Sequence, residues 1–204
     1  MSKTFGSWRL FWLLALAVSA AICLGLPSTD FHSARGTTPI ILRSVRCALP
    51  LFVLAFTASS LATLWPGRMT RWLLANRRYI GLAFAFGMAW HFSLVAWSIW
   101  NFGLYASGLN VRVTALDVVG LTFLCLMTLT SFRFGARHLA AAGWRRLHKA
   151  GVYAIWFVAT YIYLGSVRHG GDILHDAAFA LLLVAWLLRV AAWTKRRARG
   201  AARP

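Results

Sequence analysis

Glutamate is absent from this chain and aspartate occurs only four times, so no paired carboxylates lie in its apolar stretches. It also lacks GxSxG, a glycine-rich phosphate loop and any nicotinamide or flavin motif, which excludes self-contained hydride transfer. Cys23, Cys47 and Cys125 fall inside apolar stretches with no CxxC pair. They argue against a disulfide framework or zinc site and read as small core residues. No fixed-period repeat or low-complexity tract is present.

What the chain does contain is apolar and basic. Its 204 residues are 60% hydrophobic, with mean hydropathy +0.65, and 22 Lys plus Arg give a formal charge of +18. This is not the composition of a water-soluble domain. A nucleic-acid reading of the charge fails for the same reason, because a basic binding surface needs a soluble scaffold to display it. At roughly 20 apolar residues per span plus a short loop, the length allows about six to eight transmembrane helices and no further globular domain.

Six apolar segments are predicted as spans, at about 7–26, 47–65, 79–100, 115–131, 151–167 and 173–193, forming an all-α, six-helix membrane bundle in one domain over 1–204. The first follows Lys3 and Arg9 like a signal peptide, yet its run is near 18 residues and Leu26-Pro27-Ser28 lacks a small-x-small cleavage pattern. Gly36-Thr37-Thr38-Pro39 and Pro66-Gly67 read as loops.

The basic residues sort by side. Lys3, Arg9, Arg68, Arg71, Arg77, Arg78, Arg133, Arg137, Arg145, Arg146, Lys149, Arg189, Lys195, Arg196, Arg197, Arg199 and Arg203 fall on one face. Arg35, Arg43, Arg46, Arg112 and Arg168 fall on the other, with all four acids, Asp30, Asp117, Asp172 and Asp176. The larger set is expected inside, which puts both termini in the cytoplasm and predicts a multi-pass protein of the bacterial cytoplasmic membrane. Topology and attraction to anionic lipid account for these charges without a docking partner, and Arg189 is expected to snorkel toward the inner headgroups.

Of six histidines, only His91 falls mid-membrane, 13 residues or about 19 Å beyond Arg78. It reads either as a metal or heme ligand or proton relay, or as a histidine bonded between helices. His148 follows Arg145-Arg146 near the inner interface. His169 and His175 with Asp172 and Asp176, and His32 with Asp30, read as an exposed metal site or as solvated loops, and the spacing matches no ligand motif. His138 reads as a loop histidine, or as a partner of His148 or a phosphate. Trp65, Trp97, Trp100 and Trp193 suit interfacial belts, whereas Trp90 beside His91 is a candidate for packing on a porphyrin.

Two runs carry a resemblance. Asn76-Arg77-Arg78-Tyr79-Ile80-Gly81-Leu82, followed by Ala89-Trp90-His91, resembles the third helix of the ferric reductase-like transmembrane domain family. Leu129-Thr130-Ser131, Gly143-Trp144-Arg145-Arg146-Leu147-His148-Lys149 and Val152-Tyr153 resemble its fourth helix, inner loop and fifth helix. The closest form is the heme-binding membrane subunits of bacterial methionine sulfoxide reductase systems, and the likeness covers about Arg43 to Gly165. It implies b-type heme held by histidines of the third and fifth spans, and electrons carried across the membrane. The donor is then a cytoplasmic flavin, such as FMN, or a quinol, the acceptor is extracytoplasmic, and Arg68, Arg71, Arg77 and Arg78 suit an anionic flavin or acidic donor.

One departure stands out. Thirteen residues after His148, where the family usually carries a second histidine, this chain has Tyr161. Equal outward steps from Arg78 to His91 and from His148 to Tyr161 predict that His91 and Tyr161 face each other. Two axial imidazoles lie at nearly one depth, so His91 and His148 belong to different hemes if both bind. Tyr161, or Tyr153 or Tyr163 on the same helix, then coordinates weakly, bonds a water or leaves an open position. The alternative is a heme-poor or heme-free assembly or interaction subunit that retains the fold. A transporter ranks last, because no Gly/Pro-broken helices recur in corresponding halves.

Overall fold

A computed structural model describes residues 8–103 and 115–201; Lys3, Arg112 and Arg203 of the charge map lie outside them. The described residues form helices and turns with no strand. The order is α1 (Trp8–Cys23), a 3-10 turn (Leu26–Ser28), α2 (Ala34–Leu64), α3 (Arg68–Phe102), α4 (Ala115–Ser131), α5 (Arg133–Ala136), α6 (Ala141–Arg168) and α7 (Ile173–Ala201). Five of them, α1 with its following turn, α2, α3, α6 and α7, are long and apolar enough to cross a membrane, and α4 is a shorter apolar helix. Helices suit that setting because every main-chain bond is made within the segment.

Four helices run beyond the apolar stretches that announced them. α2 begins at Ala34, so Gly36-Thr37-Thr38-Pro39 is helical and not a loop. Its first turn is set by Asp30, whose carboxylate accepts from the Ser33 hydroxyl at 2.6 Å and the His32 amide at 2.9 Å. Gly36 passes this turn too closely for a side chain, since a Cβ there would lie 2.6 Å from the Asp30 side chain. Pro66 and Gly67 do break the chain between α2 and α3.

The chain divides into two compact units, the first comprising Met1–Phe52 and Tyr79–Val118, the second Val53–Arg78 and Val119–Pro204. In the first, α2 and α3 are antiparallel. Thr37 Oγ1 lies 3.2 Å from Ser98 Oγ, and Ser44 Oγ lies 3.1 Å from His91 Nδ1, so seven residues forward on α2 match seven back on α3. Four residues further, Gly87 meets Ala48, and a Cβ on the glycine would come 2.9 Å from the alanine Cβ. Small residues there let the helices approach closely. α1 runs parallel to α3: Trp8 packs edge-on to Tyr79, and eleven residues on in both helices Trp90 Nε1 donates to Ser19 Oγ at 3.1 Å.

The second unit is built the same way. α4 and α6 are antiparallel, with Gly120 against Val158, Met127 against Gly151, and Thr130 against His148. α6 and α7 are antiparallel through Tyr163 with His175, Trp156 with Leu182, and Tyr153 with Arg189. The C-terminal part of α2 runs parallel to α7, since Arg189 reaches Phe56 and Arg196 reaches Thr63, seven residues on in both. Lys195 Nζ donates at 2.8 Å to the Leu64 carbonyl, placing a cation on the negative end of α2.

Candidate functional site

In the first unit, α2 and α3 present His91 to two acceptors. Ser44 is fully buried, and its hydroxyl donates to the Ile41 carbonyl at 2.6 Å, one turn back on its own helix. The single hydroxyl proton is thereby used, so the Ser44 oxygen is an acceptor toward His91 Nδ1. The Ile41 carbonyl, 3.2 Å from the same nitrogen, can only accept. Both contacts require Nδ1 to carry the proton, which leaves the lone pair of the neutral ring on Nε2. Among the described residues Nε2 makes no hydrogen bond. A donated Nδ1–H with a bare Nε2 is the arrangement of metal-ligating histidines, whose partners fix tautomer and ring orientation. The residues present at His91 therefore fit an axial heme ligand.

Trp90 turns the other way. Its indole donates to Ser19 on α1, so it anchors α3 to α1 while His91 faces α2.

In the second unit, His148 has the opposite tautomer. The Thr130 hydroxyl donates to the Leu126 carbonyl at 2.7 Å, and its oxygen lies 3.1 Å from His148 Nε2, which must therefore donate. The imidazole also stacks on Trp144 at 4.1 Å between centroids. Trp144 Nε1 donates to the Thr130 carbonyl at 3.0 Å, and the Arg78 guanidinium donates to the Ser131 carbonyl. These two carbonyls belong to the last turn of α4, which has no intrahelical donors for them. Trp144, His148 and Arg78, all within the motif runs, thus close the end of α4.

Tyr161 is 52% exposed on α6 and Tyr163 is buried, while Tyr153 accepts from Arg189 Nε at 3.2 Å. His91 belongs to the first unit and Tyr161 and His148 to the second. Arg189, expected to reach toward the inner headgroups, turns to neighbours in its own unit: it donates to the Phe56 carbonyl at 2.7 Å and lies 4.3 Å above the Phe56 ring and 4.7 Å above that of Tyr153. Two rings set edge to face and a carbonyl satisfy the guanidinium inside the unit. Sequence reasoning passed over Ser44 and the inward turn of Arg189. The one signal for Ser44 was a hydroxyl seven residues after Thr37, between Arg43 and Arg46.

His169 and His175 have separate partners. His175 Nδ1 meets the Asp172 carboxylate at 2.6 Å, and His169 Nδ1 meets the Gly165 carbonyl at 2.6 Å. His138 lies 3.4 Å from Arg137 Nε and edge-on to Phe134. Among the described residues no group of three His, Cys, Asp or Glu side chains forms a metal-binding cluster. No family model, curated protein or solved structure matches this chain.

Proposed function

We propose that this chain is a transmembrane electron-transfer subunit of ferric reductase-like type, which holds a b-type heme through His91 Nε2. The observation that carries the reading is the tautomer of His91, fixed by Ser44 and the Ile41 carbonyl with Nε2 bare. Heme bound at that nitrogen would supply a one-electron ferric/ferrous couple within the membrane. The chain's own part is to orient the ring and hold the proton on Nδ1. His148 is the weaker ligand, because its Nε2 would have to give up Thr130. The heme count is therefore one in the first instance.

With no nucleotide-binding motif of its own, the subunit takes electrons from a separate cytoplasmic flavin or quinol donor and passes them to an extracytoplasmic acceptor. The charge map supports both termini inside a bacterial cytoplasmic membrane. A second reading, a heme-free assembly or interaction subunit, is favoured by the self-contained Trp144–His148–Thr130 cluster and the outward exposure of Tyr161.

An absorption spectrum of the purified full chain, expressed with heme supply, separates the two. A Soret band that sharpens and shifts on dithionite and is lost in His91→Ala supports electron transfer. Its absence from a heme-replete preparation, or its survival unchanged in His91→Ala, would overturn the assignment.

A further inference from the structure

At the end of the second unit where α2, α4 and α7 finish, the cations divide into two groups. Arg78, Lys195 and Arg196 are docked on the chain itself, on the Ser131 carbonyl, the Leu64 carbonyl and the Thr63 hydroxyl. Arg68, Arg71, Arg145, Arg146 and Lys149 make no side-chain hydrogen bond or ion pair among the described residues. Among the described residues none of them is paired with a carboxylate. Asp172 precedes α7 and Asp176 lies in its first turn, at the opposite end of a 29-residue helix, about 43 Å long.

The apolar residues at the same level are exposed. Trp65, Met69, Trp72 and Phe134 all project from the unit. Two further cations lie over rings there, Arg137 over Phe134 at 4.6 Å and Arg197 over Trp193 at 4.0 Å. A collar that alternates uncompensated cations with exposed indole, phenyl and thioether groups matches a headgroup region, where phosphates meet the glycerol and acyl boundary. A soluble acidic protein would satisfy the charges and leave the rings wet.

We infer that this collar is a binding surface for anionic phospholipid, with Arg145, Arg146 and Lys149 at the start of α6 and Arg68 and Arg71 at the start of α3 holding the phosphodiesters. The lipid must carry net negative charge, because the ammonium of a zwitterionic headgroup offsets its phosphate.

The test is titration of the full chain in neutral detergent with phosphatidylglycerol or phosphatidylcholine, counting retained lipid by native mass spectrometry. Phosphatidylglycerol should be retained with about tenfold preference or more. The preference should fall about fivefold in the triple variant Arg145→Gln, Arg146→Gln, Lys149→Gln, which removes three of the five cations. It should persist in Arg145→Lys with Arg146→Lys, which keeps the charge, and in Arg35→Gln, which alters the other unit. Equal retention of the two lipids, or an undiminished preference in the triple variant, would overturn the inference. So would displacement of the bound lipid by a soluble acidic peptide of equal charge, which would assign the surface to a protein.

Discussion

Arg189 Nη1 donates to the main-chain carbonyl of Phe56 at 2.7 Å while its guanidinium lies 4.3 Å above the ring of that same residue. One side chain of α7 thus grips both the backbone and the side chain of one residue of α2. A hydrogen bond from a charged donor and a desolvated cation–π contact are each worth about 1–3 kcal/mol in isolation, and interhelical polar contacts in membranes average less. Arg189→Leu should lower the stability of the second unit by about 1–3 kcal/mol. Arg189→Lys should recover only part, because a point charge cannot span carbonyl, hydroxyl and two rings at once. Thermal unfolding in detergent of the wild type and both variants measures the order, and equal melting of all three would refute it.

Ser44→Ala removes one of the two acceptors that fix the His91 proton. The Ile41 carbonyl remains, so the tautomer persists with a looser ring. Loss of such a supporting partner typically costs 10- to 100-fold in metal affinity. Heme retention at limiting heme should fall by about tenfold in Ser44→Ala and completely in His91→Ala, read from the Soret absorbance per protein. A Ser44→Ala protein with wild-type retention would show that the serine only fills space.

Thr130→Val takes away the acceptor of His148 Nε2–H but not the Trp144 bond to the residue's carbonyl. The melting temperature should fall by the equivalent of about 1 kcal/mol, while the Soret band stays unchanged. A changed heme spectrum in this variant would place His148 on iron after all.

Gly87→Leu forces a side chain into the 2.9 Å approach to Ala48, one turn from His91 on α3. Overpacking of this kind costs about 1–3 kcal/mol, and here it also pries Ser44 from His91. Reduced melting temperature together with reduced heme retention is expected. Retention falling no further than melting alone predicts would mean that the α2–α3 spacing does not govern the site.

Outside the spans, the Ser33 hydroxyl and then the His32 amide hold the Asp30 carboxyl below the usual carboxylate range. Because the folded value is depressed, the turn that starts α2 gains from Asp30 above the unfolded carboxylate range and loses that gain as pH falls through the folded value. Amide protection at His32 and Gly36, taken relative to the intrinsic exchange rate at each pH, should fall on acidification in the wild type and be low at all pH values in Asp30→Ala.

The apolar runs located the spanning helices because hydropathy reports which solvent a segment tolerates. It does not report where a helix stops. α3 therefore starts at Arg68 and α7 reaches Ala201, since Arg and Lys continue a helix into the headgroups as readily as Leu continues it through lipid. Thr37, Ser44 and Ser98 were legible only as scattered hydroxyls. Their pairing depends on the register between α2 and α3, which the small contact of Ala48 with Gly87 sets and which no single-helix pattern encodes. His148 carried a recognisable motif, yet its tautomer is decided by a proton that Thr130 spends on Leu126.

The closure of α4 by Trp144 also orders events during synthesis. When α4 leaves the ribosome, the carbonyls of Thr130 and Ser131 end a helix of 17 residues, and the indole for Thr130 arrives only 14 positions later. Arg78, already made, can serve the Ser131 carbonyl, while that of Thr130 has only water until α6 emerges, and a chain truncated before Trp144 leaves it without its indole donor.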